Sequence, residues 1–224
     1  SQGSVAAIGN GNQIMNIIIL VLSSMTVATT VLISRYFGAG DPEKAKSVSN
    51  ASIYSLSFFS IVVTLLIYGF QRPLFQWLQV PNEILDETCS YTVIVSTCVL
   101  IQAIYMVFAS ILRSHKLMKY VTFVAIIMNT LNILGNAILI NGLFGFPRLG
   151  IIGAAISTNI SKFIGLVIII LVFLKKTNMG LGFLNLKYFS FNMAKKVLLI
   201  AVPSGGEAFS YQMSQLIILR FVNT

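Results

Sequence analysis

Residues 151–174 read IIGAAISTNISKFIGLVIIILVFL, and Lys162 is the single charged side chain among them. A helix that crosses the ~30 Å hydrocarbon core of a bilayer needs about 20 mostly apolar residues. This run is long and continuous, and it lacks the alternation of polar and apolar side chains that is typical of a membrane β-barrel strand. It therefore predicts a transmembrane helix.

Five further runs of the same kind lie along the 224 residues, of which 56% are hydrophobic and only 9% charged. A soluble domain of this size could not bury so much apolar surface. The sequence thus predicts an all-α, polytopic membrane bundle of six helices. The predicted helices are Gly11–Phe37, Ala45–Phe70, Thr88–Leu112, Tyr120–Leu143, Ile151–Leu174 and a last helix from Val197 onward.

The positive charges alternate from loop to loop. Three breaks hold eleven of the fifteen Lys and Arg residues, whereas the two breaks between them hold only Arg72 and Arg148. By the positive-inside rule, the rich loops 38–46, 113–119 and 175–196 are cytoplasmic, and the N-terminal end lies outside. We therefore expect a multi-pass protein of the inner membrane with a further helix upstream of Ser1. The net charge of +9 is spread over loops, which does not favour nucleic-acid binding.

Polar side chains recur at helical spacing in three predicted helices. One stripe follows the first helix, another with Asn50 and Tyr54 follows the second, and Asn129, Asn132 and Asn136 lie at i, i+3 and i+7 in the fourth. Such stripes line a cavity or join helices by hydrogen bonds, and both interpretations stay open. The candidates for lining a cavity are Asn12, Asn16, Thr26, Thr30, Tyr54 and Tyr211.

Two charged residues fall inside predicted spans and are candidates for function. Lys162 needs a carboxylate, carbonyls or water near mid-membrane, unless its side chain snorkels to the interface. Glu207 is the only acidic residue in a span, and a buried carboxylate can exchange a proton or bind Na⁺. If the last helix enters the membrane late, because Pro203 loosens its start, Glu207 lies at the cytoplasmic interface instead. Small residues at Gly153, Ser157, Ser161 and Gly165 predict close helix packing.

Three segments resemble the multidrug and toxic compound extrusion (MATE) family. FGAGDPEKAKS, residues 37–47, resembles the cytoplasmic turn after that family's second helix. NTLNILGNAILINGLFGFPRLGIIGAAIST, residues 129–158, is similar to its fifth and sixth helices, and AVPSGGEAFSYQMSQL, residues 201–216, to its seventh. The resemblance covers essentially the whole chain and implies that it holds the second to seventh helices of the family.

The resemblance implies an antiporter of two six-helix lobes that exports organic cations, drugs or toxic compounds as Na⁺ or H⁺ flows inward. Asn132 and Asn136 match fifth-helix positions that help to bind a cation in some members, where the second is often Asp. Ser157 or Thr158 then supplies an oxygen from the sixth helix, and Glu207 matches a functional Glu of the seventh. The implied Na⁺ sites are Glu207 and the Asn132–Asn136 pair.

These expectations divide the chain into residues 1–175, the N-lobe helices; residues 176–196, a cytoplasmic linker with an amphipathic segment; and residues 197–224, the first helix of the second lobe. The amphipathic stretch Leu186–Ile200 predicts a helix lying on the inner leaflet. No cofactor, metal cluster or enzyme site is indicated, since the only histidine, His115, has no ligand-spaced partners. The expected partners are the bilayer, small organic cations and the remainder of the same polypeptide, as a monomer. A lipid-linked oligosaccharide flippase and a non-transporting assembly subunit are the alternatives.

Overall fold

A computed structural model describes residues 2–177 and 179–222, without the side chains of residues 2–5, 207, 208 and 222. Within this range the backbone forms seven α-helices and no β-strand, which confirms the all-α fold. The helices are α1 (Gln2–Gly38), α2 (Pro42–Trp77), α3 (Asn82–Ser96), α4 (Val99–Ser114), α5 (Met118–Asn141), α6 (Gly150–Lys176) and α7 (Phe191–Val222). Short 3-10 turns lie at Leu143–Gly145, Gly182–Leu184 and Leu186–Tyr188.

Four helices, α1, α2, α5 and α6, are long and apolar enough to cross a membrane, and α3 with α4 forms a fifth such span bent by 41°. This agrees with the first five predicted spans. Helix α7 is 32 residues long. Its described residues do not meet the same test of length and apolar character. A crossing by α7 therefore stays a prediction.

The loops after α1, α4 and α6 meet at one end of the bundle. The ring of Phe37 lies 4.5 Å from that of His115, and the hydroxyl of Ser47 donates to the Tyr188 carbonyl over 3.0 Å. Because these are the lysine-rich loops, we call this end the basic end. The loops after α2 and α5 lie at the opposite end.

Helix α2 begins at the basic end with a well-formed cap. Gly40 has φ +70°, a conformation that favours glycine, and the Asp41 carboxylate accepts a 3.1 Å bond from the Lys44 backbone N–H. The Lys44 ammonium also lies 2.6 Å from Asp41. The hydrogen bond from the Lys44 side chain lowers the pKa of Asp41 below its ordinary value. The GAGD turn thus ends one helix and starts the next.

The third predicted helix, Thr88–Leu112, is two helices in the structure, because α3 ends at Ser96 and α4 begins at Val99. The hydroxyl of Thr64 on α2 donates to the Ser96 carbonyl over 3.2 Å. Irregular backbone at membrane depth is tolerated where neighbouring helices satisfy its polar groups. The prediction of one continuous helix is wrong because side chains outside this segment support the break.

The segment between α6 and α7, predicted as a linker, is held against α2. The Asn50 amide donates to the Phe183 carbonyl over 2.6 Å, and the Tyr54 hydroxyl donates to the Leu184 carbonyl over 2.9 Å. The Phe183 ring is 1% exposed and lies 5.7 Å from that of Phe173. Two members of the polar stripe on α2 therefore fix this segment.

The stretch Leu186–Ile200, predicted as a helix on the membrane surface, does not form one helix of its own in the structure. Leu186–Tyr188 forms a 3-10 turn, and from Phe191 onward the chain already belongs to α7. Helix α7 continues through Pro203 without interruption. The basic amphipathic residues after Phe191 are thus the first turns of a long helix.

Helices α5 and α6 form a tightly packed antiparallel pair. Ser157 and Ser161 are buried, and a Cβ on Gly153 would lie 2.6 Å from the Leu139 carbonyl oxygen. A Cβ on Gly165 would overlap the side chain of Met128. The small residues on α6 allow this close approach, as the sequence predicts.

Candidate functional site

A polar cluster joins α5 and α6 inside this helix pair. The Asn132 amide donates to the Thr158 hydroxyl over 3.1 Å, and the Asn136 amide donates to Asn132 Oδ1 over 3.3 Å. The Ser157 hydroxyl donates to the Asn132 carbonyl over 3.1 Å. The structure thus brings together four predicted site residues. Asn129, the fifth polar candidate of this region, is exposed one turn earlier on α5.

The cluster contains a side-chain oxygen that accepts no hydrogen bond from the described residues. Asn136 Oδ1 is buried and has no hydrogen-bond partner among the described residues. Burying a polar atom without a hydrogen-bond partner costs free energy, so such an atom is a candidate to bind a water or an ion. Together with the Asn132 and Thr158 oxygens, it offers neutral oxygen ligands of the kind that hard cations prefer. A carboxylate at position 136 would bind such an ion more strongly.

A second polar site lies where α6 passes the break between α3 and α4. Asn159 donates to the Ile94 carbonyl over 2.6 Å, while its own Oδ1 is buried without a partner in the described structure. Lys162, one turn further along α6, is half-buried. The sequence singled out Lys162 but not Asn159, since one Asn in an apolar run carries no periodic signal.

A cavity of about 900 Å³ lies between α1, α2, α7 and the segment that precedes α7. Its lining is almost entirely apolar, with Ser24, Ser55 and the Tyr54 hydroxyl as the polar side-chain groups among the described residues. Six aromatic rings line it: Tyr54, Phe58, Phe59, Phe189, Phe191 and Phe209. This size is typical of a pocket for a small organic molecule.

Of the six side chains predicted to line a cavity, the structure places Tyr54 on this one. Thr26 and Thr30 donate to carbonyls of their own helix, at 2.8 and 2.9 Å. Asn12 accepts a 2.8 Å bond from the Tyr91 hydroxyl. The other two, Asn16 and Tyr211, are exposed away from the cavity.

Glu207 falls within α7, but its side chain lies outside the described part of the structure. The two residues before it, Gly205 and Gly206, line the cavity. A Cβ on Gly205 would lie 2.9 Å from the Ser24 Cβ, so glycine lets α7 approach α1 here. Position 207 therefore comes directly after two cavity-lining residues of α7.

Contacts between α7 and the first two helices continue to the opposite end of the bundle. The Gln13 amide donates to the Gln212 side chain over 3.2 Å. The Arg220 guanidinium carbon lies 4.9 Å from the centre of the Trp77 ring. The large cavity therefore occupies the half of the interface near the basic end, and side-chain contacts join the helices in the other half.

The chain matches the MatE family over residues 1–138. It is 36% identical over 222 residues to the uncharacterized transporter YisQ of Bacillus subtilis, covering 99% of this chain and 49% of that protein. It is 27% identical to the probable multidrug resistance protein NorM of Thermotoga maritima, covering 98% of this chain and 47% of that protein. An inward-facing MATE family transporter of the MOP superfamily has a similar fold, with a TM-score of 0.84 at 24% identity over 98% of this chain and 48% of that one. The chain spans about half the length of these relatives.

Proposed function

The chain belongs to the MatE family, and on that premise we propose that it acts in a cation-coupled antiporter. The transporter exports amphipathic organic cations across the inner membrane in exchange for Na⁺ or H⁺, by alternating access. Relatives named as probable multidrug resistance proteins support export of toxic compounds. Their whole length is about twice that of this chain, so the activity is assigned to the complete polypeptide.

The aromatic cavity between α1, α2 and α7 is the observation that carries this proposal. Aromatic faces attract organic cations through the ring quadrupole, most strongly where water is excluded. Its apolar walls suit the hydrophobic part of the same molecule. An amphipathic cation therefore finds both kinds of contact in one cavity without a fixed pattern of hydrogen bonds, which favours a broad range of substrates.

The charge distribution supports an orientation with the basic end in the cytoplasm. In that orientation the cavity lies in the cytoplasmic half of the α1–α7 interface, while the Gln13–Gln212 and Trp77–Arg220 contacts lie near the outer face. A substrate would enter from the cytoplasm, and separation of the outer contacts would release it. This is the arrangement expected of an inward-facing state.

The coupling ion has two candidate sites in this proposal. The oxygens of Asn132, Asn136 and Thr158 form a neutral site in the α5–α6 pair, to which the unpaired Asn136 Oδ1 contributes. The second candidate is the carboxylate of Glu207, which follows the cavity-lining residues Gly205 and Gly206 in the sequence of α7. Binding of an ion at either place would favour one of the two conformations by its difference in affinity for them.

The lack of Lys and Arg among the described lining residues of the cavity favours cation export over the alternative of a lipid-linked oligosaccharide flippase. A pocket for a pyrophosphate-linked sugar needs Lys or Arg side chains, and the described lining residues include neither. Lys162 lies on α6, which contributes no residue to that lining. A non-transporting subunit would have no need of such a cavity.

Efflux from proteoliposomes tests the proposal. Protein expressed from the complete reading frame is reconstituted, and ethidium movement is followed under an imposed Na⁺ or H⁺ gradient. We expect gradient-driven transport, and we expect Phe58→Ala with Phe209→Ala to raise KM about tenfold through loss of two aromatic contacts. Transport under neither gradient would refute an ion-coupled exporter.

A matched variant separates the cavity from general effects of losing phenylalanine. Phe146→Ala with Phe163→Ala removes two rings that are 54% and 55% exposed and lie away from the cavity. This pair should leave KM near the wild-type value. An equal rise in KM for both pairs would remove the cavity from substrate binding while leaving the coupled transport intact.

A further inference from the structure

The basic end of the bundle carries many more cations than anions. Its loops and helix ends contain eleven Lys and Arg residues, whereas Asp41 and Glu43 are its only carboxylates. Each of these two is paired with a neighbouring lysine, Asp41 with Lys44 at 2.6 Å and Glu43 with Lys46 at 2.7 Å. The described residues therefore offer no free carboxylate to the other cations of this end.

Two of these cations converge on one aromatic ring. The ammonium of Lys119, at the start of α5, lies 5.2 Å from the centre of the Tyr120 ring, and that of Lys176, at the end of α6, lies 5.3 Å from it. Two like charges on one ring repel each other, so an anion between or beside them would lower the energy of the pair. Tyr36 also contacts two lysines, but Lys196 meets its hydroxyl and Lys44, which is paired with Asp41, lies 5.9 Å from its ring centre.

The surroundings of the pair identify a lipid as the source of the anion. Within the described residues, only 6% of the most apolar window of α5 is buried. Phe123, one turn along from Tyr120, is 58% exposed. Apolar surface thus continues along α5 from the Tyr120 ring into the bilayer. A headgroup at the lysines would place its acyl chains along this surface.

We propose that Lys119, Lys176 and Tyr120 form a binding site for the phosphate of an anionic phospholipid headgroup. The two ammonium groups bind the phosphate oxygens, and the Tyr120 ring holds both lysines at the mouth of the α5–α6 pair. Basic residues next to membrane helices bind anionic lipids through this kind of attraction. The site is independent of ion coupling and of the aromatic cavity.

Native mass spectrometry tests the site in protein expressed from the complete reading frame. The detergent-solubilised protein is titrated with phosphatidylglycerol or phosphatidylcholine, and the dissociation constant of the first bound lipid is measured. We expect tighter binding of phosphatidylglycerol, and Lys119→Gln with Lys176→Gln should weaken it about thirtyfold. Lys119→Arg with Lys176→Arg keeps both charges and should retain the affinity. Equal binding of the two lipids would overturn the assignment to an anionic headgroup.

Lys187→Gln with Lys195→Gln is the matched control, since it removes two exposed charges from the same end. Unchanged affinity in this pair supports a localised site, whereas the same loss as in the Lys119–Lys176 pair would overturn it in favour of diffuse attraction. A titration with inorganic phosphate in lipid-free detergent forms the other arm. Tight phosphate binding that depends on Lys119 and Lys176 would overturn the lipid as the ligand.

Discussion

The side-chain amide of Asn159 on α6 donates a 2.6 Å hydrogen bond to the Ile94 carbonyl at the end of α3. In a continuous helix this carbonyl would accept from the N–H of Cys98, which instead bonds to the Val95 carbonyl. The same amide also lies 3.1 Å from the Thr97 hydroxyl. The Thr97 hydroxyl donates to the same carbonyl over 2.6 Å, so Asn159 and Thr97 together replace the hydrogen bond that α3 loses where it breaks from α4.

Asn159→Ala should destabilise the bundle, because it removes one of the two side-chain donors to the Ile94 carbonyl, the other being the Thr97 hydroxyl. The loss of one such hydrogen bond costs about 0.5–1.5 kcal/mol. Thermal unfolding in detergent, followed by the loss of the monodisperse peak in size-exclusion chromatography, measures the effect. Asn129→Ala, at an exposed position of α5, is the control and should change stability little. Equal melting temperatures for the two variants would contradict a role for Asn159 at the break.

The break also marks the limit of what the sequence predicts about the fold. Long apolar runs and alternating charges predict the helices well, because the bilayer imposes a length and the loops carry the cations. No Pro or Gly occurs in residues 88–112, so no helix-breaking residue indicates an interruption. The Thr97 hydroxyl bonds locally to the Ile94 carbonyl, but Asn159 and Thr64 lie on other helices, and only the fold brings their contacts about.

The candidate site, like the fold, could be predicted from the sequence only in part. The spacing of Asn132 and Asn136 predicts a shared face, and the structure joins both to α6 through hydrogen bonds. The stripe with Asn50 and Tyr54 also shares a face, but that face holds the segment before α7. Periodicity identifies residues that face one way, whereas the partner on that side is set by tertiary packing.

Asn132→Ala with Asn136→Ala should weaken the ion dependence of efflux, since it removes two of the oxygens proposed to bind the coupling ion. Proteoliposome efflux measured over a range of Na⁺ concentrations, and separately of pH, determines which ion is concerned. Asn136→Asp should have the opposite effect and raise the apparent ion affinity about tenfold, because it adds a charge where Oδ1 has no partner among the described residues. An unchanged ion response in both variants would mean that the cluster joins α5 to α6 and does not bind the coupling ion.

Glu207→Gln should abolish drug resistance in cells without lowering the amount of protein in the membrane. The substitution keeps the shape of the side chain but removes the only acidic group in a predicted span, and with it the exchange of a proton or Na⁺. Growth in the presence of ethidium, compared with membrane abundance by immunoblotting, measures both quantities. Wild-type resistance in this variant would exclude Glu207 from the mechanism.

Acid should weaken the cap of α2 at Asp41. The hydrogen bond from Lys44 lowers the pKa of Asp41 in the folded state, so the carboxylate stabilises the fold above its unfolded pKa of about 4. This contribution is lost as the pH falls through the lowered value. Melting temperatures of wild type and Asp41→Asn should therefore differ near neutral pH and converge below about pH 4. A difference that persists at low pH would contradict this account.

Trp77→Ala should open the interface between α2 and α7 at the end away from the lysines. The Arg220 guanidinium loses the ring that lies 4.9 Å from it, an interaction worth about 0.5–2 kcal/mol. If this contact closes the outer side in alternating access, the equilibrium should shift about two- to thirtyfold toward the open state. Double electron–electron resonance between spin labels at positions 83 and 221 would detect the shift toward the open state as a larger fraction of long distances.

Two further variants make that shift interpretable. Phe70→Ala removes another ring of α2, one that is 63% exposed, and should leave the distance distribution unchanged. Trp77→Phe keeps an aromatic face of weaker attraction for a cation, so it should lie between wild type and Trp77→Ala. A graded response of this kind follows only if the ring itself holds Arg220. Identical distributions in Trp77→Ala and wild type would mean that the remaining contacts, including Gln13 with Gln212, keep this end closed without it.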